Sequence, residues 1–463
     1  MNFLICVAAL VFLMYVAYRG HSVILFAPIA AMGAVLLTDP SAVPPMFTAV
    51  FMDKMVGFVK NYFPVFLLGA VFGKVIELAG FSKSIVAAVI RLVGRERAAL
   101  SIVLVCALLT YGGVSLFIAV FAVYPFAAEM YRQGDIPKRL IPGAIALGAF
   151  SFTMDSLPGT PQIQNIIPST FFNTDAYAAP WLGIIGSVFI FIFGMAYLEW
   201  RRRQALAANE GYGSGHTNEP APVEDGKLVS PWIAILPLVL VAVLNKVFTI
   251  FVESAYGKTY DISMPGMEKP IGVTISSVAA IWAVEGALLL GILTVFVFAF
   301  GTVKEKFAEG SKSAIAGALL ASMNTASEYG FGGVIAALPG FIVIRDALTA
   351  IPHPLVNEAV TVTTLAGITG SASGGMSIAL AAMADQFMAA ANAAGIPPEV
   401  LHRVASMASG GMDTLPHNGA VITLLAVCGL THRQSYKDIF AITCIKTVAV
   451  FFVITIFSLT GIV

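Results

Sequence analysis

Long apolar blocks separated by short polar turns follow one another along the whole chain. A helix that crosses a bilayer needs about 20 predominantly apolar residues. Stretches of that kind lie near residues 2–17, 22–38, 61–80, 181–199, 231–251, 273–302 and 440–462. The pattern therefore predicts an all-α polytopic membrane protein, in which the first apolar stretch is a retained membrane helix.

Other apolar stretches are interrupted by Gly, Pro, Ser and Asp. They cover residues 98–130, 140–171, 313–350, 357–390 and 401–430. Irregular backbone at membrane depth is tolerated only where it is buried in protein or lines a water-filled cavity. We interpret 98–130 and 357–390 as two re-entrant hairpins, and we expect about 11 spans in addition to them.

The composition supports a protein embedded in lipid. Apolar residues make up 58% of the chain and charged residues 11%, whereas soluble domains have about 45–50% and about 25%. Lys and Arg together number 26, as do Asp and Glu, so no charge bias indicates a nucleic-acid partner. The four cysteines have neither metal-ligand nor disulfide spacing, and we expect no metal and no cofactor.

Short motifs of the first half recur in the second half in the same order, at offsets of about 260 residues. The pairs are 72–76 with 331–335, 112–115 with 374–377, 136–137 with 396–397, and 154–158 with 412–416. This repetition indicates an internal duplication. It divides the chain into N-terminal helices (1–54), a first repeat (55–203), a cytoplasmic linker (204–230), connecting helices (231–311) and a second repeat (312–463).

Basic residues in the turns show how the two repeats are oriented. The turn at 131–139 carries three Lys or Arg residues, and its counterpart at 391–399 carries none. The turn at 172–180 carries none, and its counterpart at 431–438 carries two. Because basic turns mark the cytoplasmic side, matching turns lie on opposite sides of the membrane. The repeats are predicted to be inverted, with the N-terminus outside.

Inverted repeats with discontinuous helices are typical of secondary transporters. In such proteins the substrate lies near the bilayer midplane, where the N-termini of half-helices offer free N–H groups to anions. The chain has no Walker motif and no soluble ATPase domain. We therefore expect transport driven by an ion gradient, and no enzymatic activity.

Two glycine-rich stretches are the expected hairpin tips and the first candidate substrate site. Glycine allows a tight turn and a close approach of the backbone to a ligand. The candidates are Gly112, Gly113 and Ser115 in the first repeat, and Ser371, Ser373, Gly374, Gly375 and Ser377 in the second. Close packing of helices through small residues is the alternative interpretation.

Each repeat also contains an Asp followed by a Ser or Thr and a Pro, which interrupts the helix. An intramembrane carboxylate usually faces a cavity, a partner or an ion pathway. The substrate candidates here are Ser156, Thr160, Thr414, His417 and Asn418, and the ion-coupling candidates are Asp155 and Asp413. The alternatives are that both aspartates only cap broken helices and that His417 is a packing residue.

A third cluster, at 322–330, has no polar counterpart in the first repeat. Asn324, Thr325 and Glu328 offer amide, hydroxyl and carboxylate oxygens, which suit a proton or a small cation. We predict an ion-coupling role for them. Alternatively, Glu328 neutralises a neighbouring Lys or Arg.

The stretches DSLPGTPQIQN (155–165) and MDTLPHNGA (412–420), with the spacing of the apolar blocks, resemble the gluconate:proton symporters (GntP-type permeases) of the ion transporter superfamily. The resemblance implies proton-coupled uptake of a small hydroxylated monocarboxylate, either 3-hydroxybutyrate or a gluconate-like sugar acid. It also implies a bacterial cytoplasmic membrane and a homodimer with a scaffold and a moving transport domain.

Other functional classes remain open from the residues. A cation/proton antiporter also uses aspartates at broken helices, but it needs no additional hydroxyls or paired tips. A sodium-coupled carboxylate symporter would use the same oxygen ligands. An intramembrane aspartyl protease would need Asp155 and Asp413 to share a proton, and nothing in the sequence shows that they approach each other.

Overall fold

The computed structural model describes residues 2–19, 21–94, 97–114, 116–216, 218–220, 228–267, 269–343, 351–416 and 418–463. These residues are overwhelmingly helical, which confirms the all-α polytopic class. Two short strands, β1 (Thr259–Ile262) and β2 (Ile271–Thr274), form an antiparallel hairpin with Thr259 opposite Thr274.

Helices follow one another along the chain, and we number them in order. They are α1 (Asn2–Tyr18), α2 (Val23–Thr38), α3 (Val43–Met46), α4 (Asp53–Leu78), α5 (Phe81–Val93), α6 (Ala98–Tyr111), α7 (Leu116–Gln133), α8 (Ile141–Ala149), α9 (Phe152–Asp155), α10 (Ile163–Phe172), α11 (Pro180–Ala207), α12 (Pro231–Tyr256), α13 (Ala279–Ala337), α14 (Pro354–Thr369), α15 (Ala372–Ala393), α16 (Pro398–Ser409), α17 (Gly419–Cys428) and α18 (His432–Thr460). A π-helical segment, Phe47–Met52, leads into α4.

Five described helical segments are long and apolar enough to cross a membrane: Pro40–Leu78, α11, α12, α13 and α18. The α13 helix has 59 residues and is kinked at Ala299 (φ −136°, ψ 27°). At 1.5 Å per residue it would be about 88 Å long if straight, far longer than a bilayer is thick. The expected boundary between connecting helices and second repeat, at 311–312, falls inside this helix.

Both expected hairpins form two packed helices with a sharp reversal between them. The first consists of α6 and α7, and Gly113 in the reversal has a left-handed φ of 91°. The second consists of α14 and α15, and its reversal lies at Gly370 (φ 66°) and Ser371. Glycine adopts this backbone conformation without strain, which explains its position at both tips.

The helices that follow the hairpins are broken in both repeats. In the first repeat, residues 150–162 separate α8 from α10 and contain the single turn α9. In the second repeat, residues 410–418 separate α16 from α17. Pro158 and Pro416 lie in these breaks, where a proline removes a backbone donor and interrupts helical hydrogen bonding.

Contacts between the repeats agree with the inverted arrangement. Ser435, in the basic turn of the second repeat, donates a 2.6 Å hydrogen bond to the carbonyl of Arg139 in the basic turn of the first. At the other end, the Oγ1 atom of Thr174 lies 2.6 Å from the Nδ1 atom of His402 in α16. The two basic turns therefore meet at one end of the protein, and the first repeat's other turn contacts α16 of the second repeat, an arrangement compatible with inverted repeats.

The polar segment after α11 is docked onto the protein where it is described. Glu219 accepts a 2.6 Å hydrogen bond from Lys138 and also pairs with Arg132. Glu210 pairs with Arg139 at 2.6 Å, and the guanidinium holds the pKa of that carboxyl below its ordinary value. Part of the predicted linker therefore covers the basic turn of the first repeat, and residues 221–227 lie outside the described chain.

Candidate functional site

A cavity of about 1050 Å³ lies where both hairpin tips, both helix breaks, α4 and α13 come together. Its exposed end is formed by Glu77 and Ser313, and its inner end by the hairpin tips. Sequence candidates that line the cavity are Gly113, Asn324, Thr325, Glu328, Ser371, Ser373, Asp413, Thr414 and Asn418.

The N-terminus of α15 opens into this cavity. Ser371 is the N-cap of the helix, and its hydroxyl accepts a 3.0 Å hydrogen bond from the backbone N–H of Gly374. Ser371, Ala372 and Ser373 line the cavity. The first N–H groups of a helix have no intrahelical partner, and the helix dipole places partial positive charge there. This end of α15 can therefore hold a carboxylate.

Asn418 joins the second hairpin tip to the second helix break. Its side-chain oxygen caps α17 by accepting from the N–H groups of Ala420 and Val421 at 2.6 and 3.0 Å. Its Nδ2 donates to the carbonyls of Gly370 at 2.7 Å and Asp413 at 2.8 Å. This side chain uses its full hydrogen-bonding capacity to fix two cavity elements together.

Glu328 lies at the N-terminus of α15, with its side chain 3% exposed. The carboxylate lies near the Ser371 hydroxyl, and a Cβ atom at Gly374 would overlap it. Beside it, Thr325 Oγ1 lies 3.2 Å from Ser373 Oγ. Within the described chain, no cationic side chain pairs with Glu328 and its Oε2 has no hydrogen-bond partner. The alternative considered above, that Glu328 neutralises a neighbouring Lys or Arg, therefore finds no such partner among the described residues.

Asp413 faces the cavity and forms a buried ion pair. Lys446 Nζ, on α18, donates to Asp413 Oδ1 at 2.8 Å and to the carbonyl of Phe150 at 2.8 Å. The Asp413 side chain is 6% exposed and the Lys446 side chain 2%. Sequence reasoning missed Lys446. Its signal was an isolated lysine inside the apolar stretch 440–462, since an intramembrane charge usually has a partner.

Asp155, the counterpart of Asp413, does not line the cavity. Its Oδ1 accepts a 2.7 Å hydrogen bond from Ser156, and its Oδ2 lies against Gly410 without a partner among described residues. Its backbone carbonyl accepts from Ser406 at 2.7 Å and from the buried Arg403. The α9 turn packs against α16, and it directs the carboxylate into the protein instead of the cavity.

The remaining candidates lie elsewhere. Ser156, Thr160 and Ser377 are buried outside the cavity lining. Gly112 packs against Leu238, Gly374 against Glu328, and Gly375 against the backbone of Ala366. Gly374, Gly375 and Ser377 belong to the first turns of α15 instead of the tip, because the reversal occurs three residues earlier, at Gly370 and Ser371. Ser115 and His417 lie outside the described residues.

Two amide side chains in the first repeat also line the cavity, and sequence reasoning did not single them out. Gln162 Nε2 donates to the carbonyl of Thr110 at 2.7 Å. Gln164 is 8% exposed, and its Oε1 has no partner among described residues. Both lie in the PQIQN stretch directly after the first break, so their position beside Asp155 was the available signal.

The charges around the cavity do not fully cancel. Lys74 pairs with Glu77 at 2.8 Å, and Lys446 pairs with Asp413. Glu328 is then the one carboxylate of the described lining without a cationic partner. An anion can enter the site at low energetic cost only if a cation or a proton neutralises Glu328, because unpaired charge is costly in a low-dielectric environment.

No protein-family model matches the chain. A curated relative, the uncharacterized transporter YxjC of Bacillus subtilis strain 168, is 60% identical over 472 residues that cover 100% of both proteins. The crystal structure of the Alcanivorax borkumensis YdaH transporter, reported with an unusual topology, covers 98% of this chain and 96% of its own at 14% identity, with a TM-score of 0.49. The relationship to the Bacillus protein therefore extends from end to end.

Proposed function

The chain belongs to the transporter family that includes YxjC of Bacillus subtilis, and from that premise we propose that it is a secondary active transporter for a small hydroxylated monocarboxylate, driven by proton symport. The substrate class is 3-hydroxybutyrate or a gluconate-like sugar acid. One observation carries the proposal: Glu328, a carboxylate with no cationic partner among the described residues, lies at a helix N-terminus inside the main cavity.

The lining of the cavity supports a single carboxylate with hydroxyl groups as the substrate. The N-terminus of α15 suits one carboxylate. Ser373, Thr414 and Gln164 supply hydroxyl and amide groups that can pair with substrate hydroxyls. Such pairing is needed because a buried hydroxyl without a hydrogen bond is costly.

Proton coupling follows from the position of Glu328. While it is ionised, its negative charge occupies the same helix N-terminus that a substrate carboxylate would use. Protonation removes that competition and lets the anion bind, so the loaded site carries no more negative charge than the empty one. A transporter that moves only its empty and its fully loaded states couples the two fluxes.

The orientation is part of the same proposal. The two basic turns and the docked polar segment lie at one end of the protein, and basic residues favour the cytoplasmic side. In this proposal the N-terminus lies outside the cell and the main cavity opens to the cytoplasm. A bacterial cytoplasmic membrane and a homodimer are proposed from the resemblance to the gluconate symporters.

Uptake of labelled 3-hydroxybutyrate and gluconate into proteoliposomes tests the function. The expected result is accumulation of one acid under an inward proton gradient, abolished by a protonophore. Accumulation that needs sodium instead would make Asn324, Thr325 and Glu328 a sodium site. If neither acid moves and sodium changes the internal pH, the protein is a cation/proton antiporter and the symport proposal is wrong.

A further inference from the structure

A second cavity, of about 310 Å³, lies apart from the one described above. It is formed by the beginning of α4, the end of α10 and one residue of α13. Its polar lining consists of Asp53, Lys54, Asn61, Tyr62, Thr170 and Tyr329. The proposed transport site uses none of these side chains.

The two cavities share three helices but use different segments of each. On α4, residues 53–62 line the second cavity and residues 65–77 line the first. On α10, Gln164 lines the first cavity and Thr170 the second. On α13, the lining of the first cavity ends at Glu328 and the next residue, Tyr329, lines the second.

Helices α4 and α13 run antiparallel along the whole distance between the cavities. Gly310 of α13 packs beside Lys74 of α4, and Gly333 packs beside Lys54. The α13 segment between these two contacts is about 35 Å long at 1.5 Å per residue. The hydrocarbon core of a bilayer is about 30 Å thick. The two cavities therefore face opposite sides of the membrane.

An aromatic layer closes the space between them. The Tyr329 ring lies 5.7 Å from the ring of Phe58 and 6.2 Å from that of Phe171, measured between centroids. Tyr62 stacks obliquely on Phe58 at 4.7 Å, and its hydroxyl donates to Thr170 Oγ1 at 2.9 Å. The layer thus joins α4, α10 and α13 directly beside Glu328.

The geometry points to the second cavity as the access site through which the same hydroxylated monocarboxylate reaches Glu328 from the other membrane face. In the present conformation, the ring of Tyr329 closes this route. Lys54, Asn61 and Thr170 supply a cation, an amide and a hydroxyl, which suit a carboxylate with hydroxyl groups. The inference rests on the proposed transport function, since alternating access requires one entrance open and the other closed.

Side-specific labelling tests the position of the two entrances. In a variant without the four cysteines, Asn61→Cys reports on the second cavity and Ser313→Cys on the exposed end of the first. A membrane-impermeant maleimide is added to right-side-out and to inverted membrane vesicles. We expect the two cysteines to react from opposite faces. Reaction of both from the same face would overturn the inference.

A third cysteine tests the aromatic layer. Ser373→Cys, at the inner end of the first cavity, should react slowly from the second-cavity side. Adding Tyr329→Ala should speed this reaction about tenfold, because the rate follows the population of the open layer. Tyr329→Phe, which keeps the ring, and Phe121→Ala, an aromatic residue that lines only the first cavity, should leave the rate unchanged.

An unchanged rate in folded Tyr329→Ala protein would show that Tyr329 does not close the route. If that variant does not fold, Tyr62→Phe, which removes the hydrogen bond to Thr170, should still increase the rate, and no increase there would contradict the inference. Labelling needs no substrate and no gradient. If the uptake assay fails and the labelling pattern is as expected, the proposed substrate or coupling is wrong. If uptake succeeds and the labelling pattern differs, the role of the aromatic layer is wrong.

Discussion

The two repeats contribute the same structural elements to the cavity but different chemistry. Each supplies a hairpin tip and a broken helix with an aspartate. The second repeat brings Ser371, Asp413 and Asn418 to the cavity lining. The first brings Gly113 and two glutamine amides. The two copies therefore share backbone elements but differ in the polar groups that their tips and breaks bring to the cavity.

The aspartates show the divergence most directly. Lys446 of α18 pairs with Asp413. At the 259-residue offset that relates 72–76 to 331–335, its counterpart on α11 is Ser187, whose hydroxyl donates to the Gly183 carbonyl of its own helix. The Asp155 carboxylate is directed away from the cavity, and its Oδ2 has no partner within the described chain. The aspartate that forms a direct ion pair with a lysine is thus the one that faces the cavity.

The same contrast holds for Glu328 and its counterpart Gly69. Both line the cavity, but only Glu328 carries a charge. Because Asp413 and Glu77 are paired with lysines, Glu328 is the carboxylate of the described lining that could bind a single coupling ion, near the second hairpin tip. In the proposed mechanism, the similar backbones of the repeats would provide the two conformations, and their different side chains would provide the chemistry.

The largest effect is expected from Glu328→Gln. A gradient of one pH unit can drive about tenfold accumulation in one-proton symport, and this accumulation should disappear because the coupling group no longer titrates. Exchange of labelled for unlabelled substrate should remain, since glutamine is neutral like the protonated acid. Glu285→Gln, on the same helix but outside the cavity lining, is the control. Accumulation at the normal level in Glu328→Gln would rule out Glu328 as the proton carrier.

Lys446→Met should be the most destabilising of these changes. It leaves Asp413 as a buried charge without a counter-ion, a change that typically costs about 3–5 kcal/mol. The double variant Asp413→Asn with Lys446→Met also removes the carboxylate. It should recover most of the lost stability. Ser187→Ala, at the matching position of the first repeat, should stay within about 1 kcal/mol. Thermal unfolding in detergent measures the stability of all three variants. Equal losses of stability in Lys446→Met and Ser187→Ala would contradict the difference between the repeats.

The sequence predicts those parts of this site that depend on local backbone chemistry. The reversals at Gly113 and Gly370, and the breaks beside Pro158 and Pro416, follow from residues that set φ or remove a donor. Each could therefore be predicted to within a few residues without knowledge of the tertiary fold.

Partners across the fold could not be predicted in the same way. The pairing of Lys446 with Asp413 joins elements that only tertiary packing brings together, and no periodicity encodes it. The inward direction of Asp155 depends on the α9 turn, a local detail that the matching motif conceals. Likewise, the polar composition after α11 indicated a linker, while its docking through Glu219 depends on the distant basic turn.

Two glycines near the hairpin reversals, Gly374 in the first turn of α15 and Gly112 at the end of α6, offer a third way to compare the repeats. In Gly374→Ala, the new methyl group would displace the Glu328 carboxylate, which is the flexible end of a side chain. We expect a loss of about tenfold in coupled uptake with a small change in stability, as for an interaction worth about 1.4 kcal/mol. Gly112→Ala would instead overlap Leu238 in the core, and overpacking typically costs about 1–3 kcal/mol. Uptake per folded molecule should survive in Gly112→Ala. If the two variants have the same phenotype, the tips are equivalent in function.

The smallest expected difference concerns the helices that begin after the two breaks. Asn418 caps α17 through two backbone N–H groups, whereas Gln162 at the start of α10 makes no such cap. Asn418→Ala should therefore cost about 1 kcal/mol or slightly more, because the bonds to Gly370 and Asp413 are also lost. Gln162→Ala should lose the bonds of its Nε2 to the carbonyls of Thr110 and Val114 but no cap, and should cost less. Hydrogen exchange at Ala420 and Val421 measures the cap directly, and unchanged protection in Asn418→Ala would show that water replaces the side chain without loss.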